Sequence, residues 1–540
     1  MRAQGRGARS DPPGHSVPRA AVCPLQTLPP PGSAGPPAQA VVLPDGHRRR
    51  IRPPSRRDRY RPSTDRRRAQ NGRYSVCRGG DHRSYPRCGR RGGRADATGG
   101  GRLKAEREIE LPYGASTLRV RLPETNLVGV YAPSPPPACP DPVAEIGRAL
   151  AHPLDTPPPS EIVGPGENVV VLIDDHTRST PTALILPPVI EELRRGGVRD
   201  GDITILITHG THRLSTEEEV RQKVGEGIYG QFRIVQHDCT DESAQVYVGL
   251  TSRGTPVWVN RLVVEADRRV GIGHIGPSPY AGYSGGGKLI LPGVASLDTI
   301  NANHSLVPLG FRQPGRVDLP CRLDLEEAAG MVGLDFVLDV VLCQGGELAR
   351  AFAGSPTRVF REGVTLARRV YEVECEEVDI AITTAYPYDQ DLYQAVRAVE
   401  YADAVVRPGG SILLVAACPD GVGGEDFFRL IADRTKRPDD FLRDMVRRDG
   451  MVTFAVLGYN LARTRAEKRL YIVTEGIPAP ALEAMGFHPL PSLQAGVETL
   501  LGIYGERVRV GVFPMGSSTV PVRRSPAYGK GGSVPVEEFT

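Results

Sequence analysis

Three stretches of the 540-residue chain gather imidazoles, carboxylates, glycines and a lysine at spacings that could do chemistry. Asp174-Asp175-His176-Thr177-Arg178 and His209-Gly210-Thr211-His212-Arg213 each follow a run of β-branched residues. α/β folds place ligand sites at the carboxyl ends of such strands. A lone histidine is more often structural. Several at strand ends beside Arg and Lys point instead to an anionic substrate and acid–base chemistry. Gly282-Tyr-Ser-Gly-Gly-Gly287-Lys288 fits G-x-x-x-x-G-K, a glycine run that brings backbone amides and one lysine to an anion. Leu289 stands where an NTPase needs Ser or Thr for magnesium. Gly271-Ile-Gly273-His274-Ile-Gly276 spells a dinucleotide fingerprint, but Pro277 and Pro279 stop the helix that should receive a pyrophosphate. His304 lies in Asn301-Ala-Asn-His304, while His176 and His237 read as structural residues.

The elements that must position these groups follow from periodicity. Strands are expected at Asn168–Ile173, Ile203–Thr208, Phe232–Gln236, Arg268–Ile272, Phe336–Leu342, Val378–Thr383, Ser411–Ala416, Arg469–Val473 and Val508–Phe513. Helices are expected at Thr182–Arg195, Thr216–Val224, Arg358–Val373, Leu392–Ala404 and Pro438–Arg448. This alternation predicts two α/β domains with largely parallel sheets and a cleft between them. The expected division is a basic arm (1–103), an N-terminal domain (104–368), a C-terminal domain (369–526) that closes over the substrate, and a tail (527–540).

The arm is compositionally distinct. Residues 1–100 hold 22 Arg, 6 Asp, 14 Pro and neither Lys nor Glu, a net charge of +16, so the remainder carries −12. Such a segment cannot bury enough apolar surface to offset its ordering entropy, and it reads as disordered or as an over-called start in GC-rich DNA. The nine scattered cysteines contain no C-x-x-C pair, which argues against a zinc ribbon or a disulfide framework. No apolar run is long enough for a membrane span, and the expectation is a cytoplasmic protein without a nucleic-acid partner.

Several of these stretches, in this order, resemble the nickel-dependent lactate racemases: Asp175-His-Thr-Arg178, Gly210-Thr-His212-Arg213, Tyr283-Ser-Gly-Gly-Gly-Lys288-Leu-Ile-Leu-Pro-Gly293, His304, Leu392-Tyr393-Gln394 and Asp420-Gly-Val-Gly-Gly-Glu425. The resemblance runs from about Leu103 to Gly516 and implies a nickel-pincer nucleotide, a pyridinium-3,5-bisthiocarboxylic acid mononucleotide. It assigns covalent attachment to Lys288, the nickel-binding imidazole to His304, and the nucleotide contacts to Asp175, Thr177 and Arg178. Imidazole with sulfur donors suits nickel.

The implied reaction is racemisation or epimerisation of a 2-hydroxy acid, lactate or a larger analogue. A histidine takes the hydroxyl proton while the α-hydrogen leaves as hydride, and hydride return to the other face of the 2-oxo acid inverts the centre. His212 matches one family base, and Tyr393, Gln394 and Arg397 match the substrate-contacting segment, with Arg397 standing for a lysine. The family's second base falls at Ser278, a hydroxyl that cannot serve as a neutral-pH base unaided. His274, four residues earlier, is the expected replacement, with Ser278 lining the substrate pocket. The resemblance also implies cofactor-maturation enzymes as partners. Two alternatives remain at this stage: a related hydride-transfer enzyme without two-base racemisation, and a cofactor carrier that needs Lys288 but no base.

Overall fold

The computed structural model describes residues 105–343, 346–447 and 451–524. The expected arm (1–103) and the expected tail (527–540) lie outside them. No helix among the described residues is long and apolar enough to cross a membrane.

Two six-stranded sheets organise the chain. The first runs Leu348–Gly354, Phe336–Leu342, Arg268–His274, Val169–Asp174, Ile203–Thr208, Arg233–Gln236, with every neighbour parallel except the antiparallel first pair. Val169–Asp174 and Phe336–Leu342 are buried at every position. That is why they read as continuous apolar runs instead of alternating ones. The second sheet runs His488–Pro489, Arg469–Val473, Val406–Val415, Val378–Thr384, Val510–Phe513, Leu127–Val130, parallel throughout. Helices cover both sheets, as parallel sheets require.

The architecture is the expected α/β one, and most of the expected elements occur within two residues of their sequence limits. One stretch differs from the 104–368 division. Leu127–Val130 pairs with Val510–Phe513 in the second sheet, and the hairpin Glu106–Tyr113/Ser116–Pro123 packs its Leu111, Val120 and Leu122 into the core beneath that sheet. Parallel pairing across nearly four hundred residues leaves no local sequence signal.

The connection order sets the site. From Val169–Asp174 the chain steps outward on one side to Ile203–Thr208 and then Arg233–Gln236, and returns to the other side at Arg268–His274. The carboxyl ends of these central strands therefore open onto a crevice at the point where strand order reverses, the usual ligand position in open α/β sheets.

Candidate active site

The strand Val169–Asp174 ends on one carboxylate and is followed at once by another, Asp175. Asp175 accepts a 2.6 Å hydrogen bond from His212 Nδ1, and bonds at 3.0 and 2.6 Å from the Thr177 amide and hydroxyl. Burial alone would raise the Asp175 carboxyl, but the His209 ring 3.6 Å away, the hydrogen bond from His212 and the Arg178 charge hold it far below the usual range. With Nδ1–H committed to this anion, His212 keeps Nε2 as its free acceptor. Asp174 has a separate set of partners. Its ion pair with Lys223 spans 2.6 Å, it accepts from Thr180 Oγ1, and it lies 3.4 Å from His274 Nδ1.

One cavity is lined by Asp175, Arg178, His212, His274, Ser278, Lys288, His304, Tyr393, Gln394 and Arg397. Of the residues given a catalytic, substrate, cofactor or metal role from the sequence, only Thr177 is off its surface, bonded instead to Asp175 and Arg178. The strand Arg268–His274 supplies His274, the loop after Ile203–Thr208 His212, the turn Gly286–Leu289 Lys288 and the helix Leu297–His304 His304. The helix Leu392–Asp403 supplies Tyr393, Gln394 and Arg397 from across the crevice. That helix is started by Asp391, whose side chain accepts the Gln394 amide, and Arg397 stacks 4.3 Å from the Tyr388 ring centre.

The glycine run does something other than its composition suggested. Gly285 and Gly286 sit at φ +92° and +58°, and the Gly286 amide donates 2.7 Å to Asp339, a buried carboxylate of the chain itself. The loop thus folds over an internal anion and turns Lys288 into the cavity. Arg322, wholly buried, holds the same loop through the carbonyls of Tyr283 and Gly285. The Gly271–Gly276 fingerprint lies in and just past the buried strand Arg268–His274 and opens no helix.

Two groups are chemically unusual. Enclosure, with Arg178 adding to it, lowers the Lys288 ammonium to about 7, and its amine has one hydrogen bond, 3.3 Å to Ser278 Oγ. A large fraction of it is therefore a neutral nucleophilic amine at neutral pH. Burial, with Lys288 adding, lowers His304 to about 3, and its Nδ1 pairs with Thr453 Oγ1 at 2.8 Å. A neutral imidazole with Nε2 unengaged by protein is a metal-ligand donor. Asp175, His176 and His209 also bring donor atoms within 4.8 Å of one another. There, however, His176 Nδ1 pairs with Ser215 at 2.8 Å and His209 Nε2 with Gln236 at 2.9 Å, so this group buttresses Asp175. His237 is saturated by Ala295 O and Asn260, and its burial lowers it to about 4.

Sequence reasoning passed over Thr180, Lys223, Glu400 and Thr453. Glu400 lines the cavity, burial raises its carboxyl to about 7, and it takes Asn460 Nδ2 at 2.5 Å. Its place three residues after Arg397 on a cleft-facing helix was the available signal. For Thr180, Lys223 and Thr453 there was none, because each acts through a partner distant in sequence.

Comparison with known proteins identifies the family of the chain. Residues 113–311 match the lactate racemase N-terminal domain and residues 373–521 the lactate racemase C-terminal domain. The chain is 30% identical over 421 residues to the lactate racemase of Thermoanaerobacterium thermosaccharolyticum, covering 76% of this chain and 98% of that one. It is 30% identical over 422 residues to that of Lactiplantibacillus plantarum, covering 76% and 99%. The apoprotein structure of the former superposes with a TM-score of 0.70 at 30% identity, over 78% of this chain and all of the other. A Thermotoga maritima protein shares the fold at 19% identity, with a TM-score of 0.56 over 68% of this chain and 96% of that one. The paired carboxylates, the imidazoles they hold and the lysine loop thus sit in a member of a known enzyme class: the chain belongs to the lactate racemase family and is an isomerase.

Proposed function

We propose that this protein racemises or epimerises a 2-hydroxy acid, lactate or a larger analogue, with a nickel-pincer nucleotide attached through Lys288 and its nickel bound by His304. The observation that carries the reading is that one cavity holds both Lys288, whose amine is about half deprotonated at neutral pH, and a neutral, Nε2-free imidazole at His304. Covalent capture needs the first and a metal ligand the second. Arg178 donates only to Thr177 Oγ1 among the described residues, which leaves guanidinium donors for a nucleotide phosphate. When bound, the group would supply a pyridinium acceptor for the substrate's α-hydrogen as hydride.

The chain's own residues do the rest. His212 Nε2 takes the hydroxyl proton of one enantiomer, and Asp175 stabilises the imidazolium that forms. His274 ends the strand on the opposite side of Val169–Asp174 from the strand that leads to His212, and it serves the other enantiomer. Arg397, steadied by Tyr388, pairs with the substrate carboxylate, while Gln394 and the neutral phenol of Tyr393 orient it. Ser278 stays in the cavity wall and fixes the Lys288 amine.

Intact mass and metal analysis of protein from a host that builds the nucleotide test this. The expected results are a covalent adduct lost in Lys288→Ala, nickel lost in His304→Ala, and racemisation of lactate or a bulkier 2-hydroxy acid. Full nickel occupancy in the His304 variant would overturn the ligand assignment.

A further inference from the structure

We infer that Thr180 and Asp174 are positioning residues that lock His274 in the tautomer with its proton on Nδ1, leaving Nε2 bare toward the cavity. The inference rests on the two-base reading for its catalytic meaning, but its geometry stands apart from the cofactor.

Asp174 is kept ionised: its pair with Lys223 and its contacts with His274 outweigh the burial that opposes charge. Lys223 in turn donates to the Arg178 and Thr180 carbonyls, so its ammonium is fixed in place. An ionised carboxylate only accepts. The hydroxyl shared between Asp174 and His274 must therefore give its single proton to Asp174. Thr180 Oγ1 also lies 2.9 Å from His274 Nδ1, and with its proton spent it can only accept there. Nδ1 must then be the donor. No protein group reaches His274 Nε2 among the described residues, and His274 lines the cavity.

The outcome parallels His212 by a different route. Asp175 fixes that tautomer directly at 2.6 Å, whereas Asp174 does it mainly through a threonine, being 3.4 Å from the ring nitrogen itself. Two adjacent carboxylates, one ending the strand Val169–Asp174 and one just past it, thus each prepare one imidazole as an acceptor. This supplies what a bare substitution of Ser278 for a histidine removes.

The test is nitrogen NMR of histidine-labelled, cofactor-free full-length protein at neutral pH, with the His274 signal assigned from His274→Gln. The wild type should show protonated Nδ1 and bare Nε2 at His274. Asp174→Asn, which can offer an amide proton to Thr180, should reverse or mix that tautomer and leave His212 unchanged. Thr180→Val, nearly isosteric, should also mix it, while Thr180→Ser should restore it. In the loaded enzyme Asp174→Asn should lower kcat about 100-fold or more with KM little changed, as expected for a base in the wrong tautomer. A proton on Nε2 in the wild type, or a tautomer indifferent to both Asp174→Asn and Thr180→Val, overturns the inference. If the tautomers behave as stated but His274→Ala racemises normally, the positioning stands and the two-base reading fails.

Discussion

At the scale of single residues, the cavity works by withholding water from cations. Lys288 in water would titrate near 10.4, whereas enclosure brings it to about 7. Amine-reactive labelling of cofactor-free protein should therefore show a lysine half-reactive near pH 7 that disappears in Lys288→Met. Between about 7 and the unfolded value the unfolded chain binds the extra proton, so this group's contribution grows more favourable as pH rises through that window. Lys288→Met, which removes the penalty, should raise the melting temperature of cofactor-free protein at pH 7 and lose that advantage by pH 10.5. At His212 the expected change is catalytic: Asp175→Asn should depress kcat by about 1000-fold or more, since Nδ1 loses its anion and the tautomer is no longer fixed. The lysine, His212 and His304 were legible from their motifs. Their electrostatics were not, because desolvation depends on what surrounds a side chain.

At the scale of elements, the glycine loop is the part with least freedom. A β-carbon on Gly285 would lie 2.6 Å from Ile275 Cγ1 and 2.8 Å from Asp339 Oδ2, at a φ that L-residues rarely adopt. Gly285→Ala should cost on the order of 2–4 kcal/mol in a urea melt, from strain and overpacking together. Gly330 is the contrast: exposed in the helix Pro320–Val332, with nothing near its virtual β-carbon. Gly330→Ala should stabilise by roughly 0.5–1 kcal/mol. Periodicity located the strand and helix series, including Thr182–Arg195, which keeps its helix through Pro187 and Pro188 because Ile185, Leu186, Val189, Ile190 and Leu193 are buried along it. It did not single out Leu297–His304, whose eight residues are mostly buried and polar around Asn301, Asn303 and His304. A short helix held by such contacts carries no apolar stripe.

At the scale of the whole molecule, the layer carrying Lys288 and the layer carrying Arg397 are tied by a buried charge cluster. Asp403, closing the helix Leu392–Asp403, receives Arg312 from the first layer and Lys468, 2.7 Å away, from the second, and Arg312 also pairs with Glu467 at 2.8 Å. Asp403→Ala leaves the Lys468 ammonium buried without its carboxylate and should cost about 3–5 kcal/mol in equilibrium unfolding. Lys468→Met should cost less, because Arg312 still neutralises Asp403. The basic arm is a separate matter. The two lactate racemases align over nearly their full lengths to only 76% of this chain, and the domain matches begin at residue 113. Deleting residues 1–100 should leave the cooperative melt and the racemase rate unchanged.

The sequence by itself determined the α/β class, most element limits and most of the residues that gather in one cavity, because these are written in local periodicity, strand-end motifs and the order of the lysine and histidine stretches. Only the tertiary structure decided that Leu127–Val130 joins the second sheet, that the glycine amide faces Asp339, and that Asp174 reaches His274 through Thr180. Each of those depends on residues from 53 to nearly 400 positions apart in the chain meeting at hydrogen-bond distance. Residue types and spacing along one chain carry no record of such meetings until the strands are ordered in space.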